Sequence, residues 1–137
     1  MSNQMNEPHI IRLRGPWQRQ IIEGSEQPSK TITMPGGWAA DLGERFEGTV
    51  EYQRFFNRPT GIDDSTPIRI TFAEIVGQAT VWLNSEQLPD GSTVADPNRY
   101  SFDISGQLEK RNELRVRIAS NGEVDGGLVG EVRLEIG

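Results

Sequence analysis

The sequence predicts an all-β fold, an antiparallel β-sandwich, and three observations carry that prediction. Apolar and polar residues alternate with a period of two in short segments along most of the chain. Fifteen Gly and eight Pro punctuate those segments at spacings that suit hairpins and sandwich corners. Long apolar runs are few, and there is no heptad, internal repeat or low-complexity segment. A hydrophobic content of 34% is enough for strands that each bury a single face.

The elements follow in order. Residues 1–8 are polar and read as a loose N-terminal segment, with one domain over 9–137. From His9, Ile11 and Leu13 share one face of a strand, and Arg12 and Arg14 share the other. Gly15-Pro16 breaks it, and Trp17 to Ile22 reads as a shorter strand. After a loop over 24–29, β-branched Thr31, Ile32 and Thr33 favour an extended segment. Residues 35–46 have no strand character. They have room for one helical turn, but their glycines favour a structured loop.

A long strand over 48–57 sets Val50, Tyr52, Arg54 and Phe56 against Glu51, Gln53 and Phe55. Ile68, Ile70 and Phe72 line the next, and Ala79, Val81 and Leu83 point inward on the one after, with Trp82 on its other side. Asn84-Ser85 suits a tight turn, because Asn tolerates positive φ. Residues 88–98 read as loop, 99–104 and 112–119 as strands, and 105–111 as a polar turn with room for a short helix. The last strand alternates Val132, Leu134 and Ile136 against Glu131, Arg133 and Glu135. This makes eight or nine strands, with cross-strand ion pairs on the outer face if the first and last strands pair.

Composition narrows the function classes. A net charge of −6 argues against a nucleic-acid backbone as partner. With no Cys there are no disulfides, thiolate metal sites or Cys nucleophile. The N-terminus has neither the basic start nor the apolar stretch of a signal peptide, and no segment has the roughly 20 apolar residues of a membrane span. The expectation is a cytoplasmic protein that does not contact membranes.

Alternation alone would allow any β-sandwich. Seven ordered phrases narrow it: Arg12 to Trp17, Met34 to Trp38, Tyr52 to Pro59, Ala79 to Asn84, Tyr100 to Ile104, Asn112 to Val116 and Gly126 to Val132. In that order they resemble the N-terminal sugar-binding domain of family-two glycoside hydrolases, the β-galactosidase and β-glucuronidase group. The resemblance covers residues 9–136 and implies a jelly roll of the galactose-binding-domain-like type. It departs from the family at Ser85, where Gly usually follows the Asn, and that implies a different turn type. In the full enzymes the catalytic glutamates lie on a barrel for which 137 residues leave no room. The resemblance therefore implies a non-catalytic module without cofactor, related to carbohydrate binding. The alternative is a structural or protein-interaction sandwich. A homodimer or a separate glycosidase subunit is the expected protein partner.

Candidate sites are weighed on that basis. A retaining glycosidase needs two carboxyls about 5–5.5 Å apart. Glu44 and Glu47 are the best pair in sequence, but the reading as a solvated loop prevails. His9 stands alone near the terminus and fits a surface or edge position. Gly126 to Gly130 precedes a strand, so it does not make a phosphate loop. Asp63, Asp64, Asp90, Asp96 and Asp125 lie in loops without the spacing of a calcium site. A ligand site of aromatic platform and planar polar groups is expected from Trp38, Asp41 and Arg45 with Asp96, Arg99 and Tyr100. In the competing reading Trp38 caps the core and the Arg/Asp pairs brace loops. Arg54, in phase with apolar neighbours, either pairs its head with an acid or faces a partner.

Overall fold

The computed structural model describes residues 9–24, 26–34, 36–89, 91 and 98–137, with nothing stated of the Ala40 side chain. Strands β1 (His9–Arg12), β2 (Trp17–Glu23), β3 (Lys30–Ile32) and β4 (Gly36–Gly37) precede helix α1 (Trp38–Leu42). Then come β5 (Glu47–Asn57), β6 (Ile68–Phe72), β7 (Ile75–Val76), β8 (Gln78–Leu83) and β9 (Glu86–Gln87). Strands β10 (Tyr100–Asp103), β11 (Arg111–Asn121), β12 (Gly127–Leu128) and β13 (Val132–Ile136) complete the chain. Nine of these strands have three residues or more among the described residues, which matches the expected number.

Two antiparallel sheets form the sandwich. One runs β1-β13-β6-β10 and the other β3-β2-β5-β11-β8-β9, while β4-β12-β7 make a small third sheet. The alternation in sequence becomes burial. Val50, Tyr52 and Phe56 of β5, and Leu114, Val116 and Ile118 of β11, face inward in the six-stranded sheet. Ile68, Ile70, Phe72, Leu134 and Phe102 face them from the four-stranded sheet, within one buried cluster. A single apolar face per strand thus suffices for a continuous core.

The first and last strands pair, with Arg12 opposite Arg133. On the outer face Arg12 binds Glu131 at 3.0 Å and Arg133 lies 3.3 Å from Glu135. Arg115 and Arg117 belong elsewhere, on β11 in the other sheet.

One segment departs from the sequence expectation: residues 38–42 form a one-turn helix, while 105–110 are the expected polar turn, without a helix, and Arg111 already belongs to β11. The helix is anchored by tertiary contact: its first N–H, on Trp38, donates to the Gly126 carbonyl at 2.9 Å. A Cβ on Gly127, at φ 119°, would lie 2.8 Å from the Trp38 ring, so the close approach of β12 to Trp38 requires glycine. At the hairpin, Asn84 and Ser85 have φ of 52° and 71°. Positive φ at both central residues is the type I′ pattern. Serine therefore occupies the second central position of a type I′ turn, where Gly is favoured.

Candidate functional site

Trp38, Asp41, Arg19, Lys30 and Tyr52 form one network between α1, β2, β3 and β5. Trp38 has no exposed surface and packs edge-on against Phe46, with ring centroids 5.4 Å apart. It cannot offer a stacking platform, so the core-cap reading of this tryptophan holds. Its indole N–H is buried without a partner of full hydrogen-bond geometry, beside the Tyr52 hydroxyl. The Arg19 side chain is only 2% exposed, and its Nε and Nη2 donate to the two Asp41 carboxylate oxygens at 2.8 Å each. Lys30 adds a third contact to Asp41 at 3.3 Å. Both oxygens of Asp41 are engaged within the protein, so Asp41 braces the fold.

The electrostatics follow from this geometry. The hydrogen bonds from Arg19 hold the Asp41 carboxyl below its ordinary value, against the opposing effect of burial. The same pairing raises Arg19. Burial pushes the Tyr52 hydroxyl well above the usual tyrosine range. A fork-to-fork ion pair with a second cation, Lys30, is fully committed to holding α1 against β2 and β3.

The other expected ligand residues lie elsewhere. Arg45 is exposed, sits at φ 54°, and its backbone N–H donates to the Asp125 carboxylate. Arg99 is half-buried ahead of β10, and Tyr100 stacks on Phe102 at 6.4 Å beside Gly91 and Leu88. Asp96 lies outside the described residues, as does Asp90. Glu44 and Glu47 are both exposed. His9 is exposed at the start of β1, an edge strand. Asp63 is consumed by its own turn, accepting from the Ser65 N–H at 2.9 Å and the Ser65 hydroxyl at 2.7 Å. Among the described residues no group of three His, Cys, Asp or Glu side chains is placed to hold a metal.

Of the two arrangements expected for Arg54, pairing of its head with an acid is not found: it lies opposite Leu114 on the inward-facing phase of β5, and no ion pair to an acid is present among the described residues. Its Nε is buried without a partner and its Nη1 reaches the Phe55 carbonyl at 3.3 Å. Burial accordingly lowers its guanidinium pKa.

A second arrangement escaped the sequence reading. On the outer face of the six-stranded sheet, register aligns Thr31, Gln18, Gln53, Arg115, Trp82 and Gln87 in one row, one residue from each strand. The guanidinium carbons of Arg115 and Arg117 lie 5.6 and 5.4 Å from the Trp82 ring centroid. Glu51 holds Arg117 at 2.8 Å and Arg115 at 3.8 Å. Gln18 donates to Thr31 at 2.9 Å, and Gln53 donates to Glu113. The outward phase of Gln53 and Trp82 is visible in sequence; the alignment of the whole row depends on strand pairing, which is not.

No protein-family model and no curated protein matches the chain. Solved structures do match. An FMN-binding β-glucuronidase from Faecalibacterium prausnitzii L2-6 superposes with a TM-score of 0.78 at 22% identity, covering 95% of this chain and 22% of its own. A β-glucuronidase from Bacteroides uniformis gives 0.75 at 18% identity, covering 95% and 18% respectively. A GH2 β-galacturonidase from Eisenbergiella tayi gives 0.69 at 18% identity, covering 94% and 24%. The chain therefore has the fold of the N-terminal domains of family-two glycoside hydrolases, and it spans about a fifth of the length of these proteins.

Proposed function

We propose that this domain is a non-catalytic carbohydrate-binding module related to the N-terminal domain of family-two glycoside hydrolases. The observation that carries the reading is the superposition of nearly the whole chain on a minor part of several glycosidases. Fold alone does not fix function. What supports a binding role over catalysis is the placement of the carboxylates: Asp41 is locked in an ion pair with Arg19, and Glu44 and Glu47 lie exposed on the surface. The test is a titration of the pure protein with galactosides, glucuronides and neutral oligosaccharides, alongside a chromogenic glycoside assay. Saturable binding without turnover is the expected outcome, and turnover would overturn the reading.

A second reading is a protein-interaction module, as a homodimer or as the partner of a separate glycosidase subunit. Phe55 is 45% exposed and Val124 54% exposed, and such residues gain from being covered. Sedimentation over a range of concentrations separates the two readings: a dimer that ignores every sugar favours the second.

A further inference from the structure

We propose that the outer face of the six-stranded sheet is a platform for an extended, neutral glycan chain lying across the strands. The inference rests on the carbohydrate-binding reading and deepens it by naming the face and the class of ligand. The row Thr31, Gln18, Gln53, Arg115, Trp82 and Gln87 crosses all six strands. At a strand spacing near 4.8 Å, five intervals make it about 24 Å long. That is the length of an oligosaccharide, several times that of a single sugar ring.

The chemistry of the row matches the two faces of a sugar. Pyranose rings offer C–H faces that stack on an indole and pairs of hydroxyls that both donate and accept. Trp82 supplies the aromatic surface at one end, part-exposed and flanked by two guanidinium groups. Glutamine amides carry a donor and an acceptor in one plane, and arginine carries a rigid fork of donors. The side chains are also held before any ligand arrives: Gln18 by Thr31, Gln53 by Glu113, and the two arginines by Glu51. Held side chains lose less entropy on binding.

Charge and composition exclude the other occupants of such a face. Arg115 and Arg117 are neutralised where they stand, by Glu51 and, for Arg115, also by Glu113 at 3.7 Å. A phosphate backbone or sulfated chain therefore meets no net positive charge. In this row and its two neighbours, Gln20, Glu51, Arg117 and Thr80 on one side and Phe55 with Glu113 on the other, Trp82 and Phe55 are isolated large apolar side chains among charged and amide groups, whereas the core of a protein interface is apolar and depleted in charge.

The experiment is calorimetric titration of the full chain with galacto-, manno-, xylo- and gluco-oligosaccharides from disaccharide to hexasaccharide. The variants are Trp82→Ala and, as a pair that keeps the aromatic ring, Gln18→Ala with Gln53→Ala. Circular dichroism melting of each checks the fold. At least one series binds, affinity rises with length to about the pentasaccharide, Trp82→Ala weakens it about tenfold, and the glutamine pair weakens it severalfold at unchanged melting. Glycan binding that ignores both variants, or that is as tight for a single sugar as for the pentasaccharide, overturns the platform and leaves the carbohydrate reading standing. Absence of binding by the unmodified chain overturns both. A dimer of the unmodified chain that Trp82→Ala dissolves gives the face to a second copy and overturns the platform.

Discussion

Two regions of this molecule use the same side-chain types to opposite ends. The interior network sets Trp38, Arg19 and Asp41 together, and the outer row sets Trp82, Arg115, Arg117 and Glu51 together. In the first, the arginine is 2% exposed and both carboxylate oxygens are engaged. In the second, Arg117 remains 41% exposed and the ring stays part-open to solvent. A tryptophan beside an Arg–acid pair is therefore not in itself a binding signature. Whether those groups have valences left for a ligand depends on which side of the sheet they occupy.

The comparison breaks most sharply at Asp41. Asp41→Ala leaves the Arg19 guanidinium buried with no counter-charge, and removing one partner of a buried pair costs about 3–5 kcal/mol. Urea unfolding of the variant measures it. A loss below about 1 kcal/mol would place the interior pair in the same class as the surface ones. Acid adds a second reading of the same contact. Arg19 holds the Asp41 carboxyl below its ordinary 3.8, so the folded state binds this proton more weakly than the unfolded chain does. The contribution of Asp41 is then fully present above that ordinary value and is lost as pH falls through it toward the folded one. Asp41→Asn should flatten this part of the acid limb of a stability-against-pH curve, since it has no carboxylate left to protonate.

Much of the interior was legible in the sequence because a strand with one buried face writes its burial as alternation. Val50, Tyr52 and Phe56 were placed inward correctly on that basis, as were Ile68, Ile70, Phe72 and the Val132 series. Helix α1 is not legible because its local sequence favours a loop, and it forms by docking Trp38 against Gly126 and Gly127. On the 38–45 segment residue type suggests a ligand site, and type cannot distinguish Asp41 bound by Arg19 from an open carboxylate. The outer row was hidden for a different reason. Pattern says which residues face out of a strand, whereas a row across six strands requires knowing which strand lies beside which.

A smaller effect sharpens the edge of that row. The Asn84-Ser85 turn joins Trp82 of β8 to Gln87 of β9 and so sets the register of the outer end. Asn84 earns its place there, accepting from the Glu113 N–H at 2.9 Å and donating to Asn112 at 3.0 Å. Among the described residues the Ser85 side chain makes no hydrogen bond that would offset its left-handed backbone at φ 71°. Ser85→Gly should stabilise the fold by about 1 kcal/mol, as read from thermal unfolding, since glycine adopts this conformation without the Cβ clash. An unchanged or lowered melting temperature would mean that the serine hydroxyl offsets the strain.

The smallest stability effect and the sharpest functional one meet at Glu51. This carboxylate neutralises two arginines, Arg117 at 2.8 Å and Arg115 at 3.8 Å, on a face open to water. Glu51→Gln keeps the length and one acceptor, so the expected cost in stability is about 1 kcal/mol, and it should shrink in salt because the two arginines, 41% and 31% exposed, are screened by solvent although Glu51 itself is 12% exposed. The interior pair, with Arg19 only 2% exposed, should show a weaker salt dependence, which is the contrast with Asp41. The same substitution removes one negative charge from between Arg115 and Arg117 and leaves the outer face cationic around Trp82. The variant should therefore gain affinity for anionic polysaccharides such as polygalacturonate, a gain that moderate salt abolishes. If the unmodified chain already binds such polymers in a salt-sensitive way, the neutrality assigned to this face is wrong and its ligand is an acidic glycan.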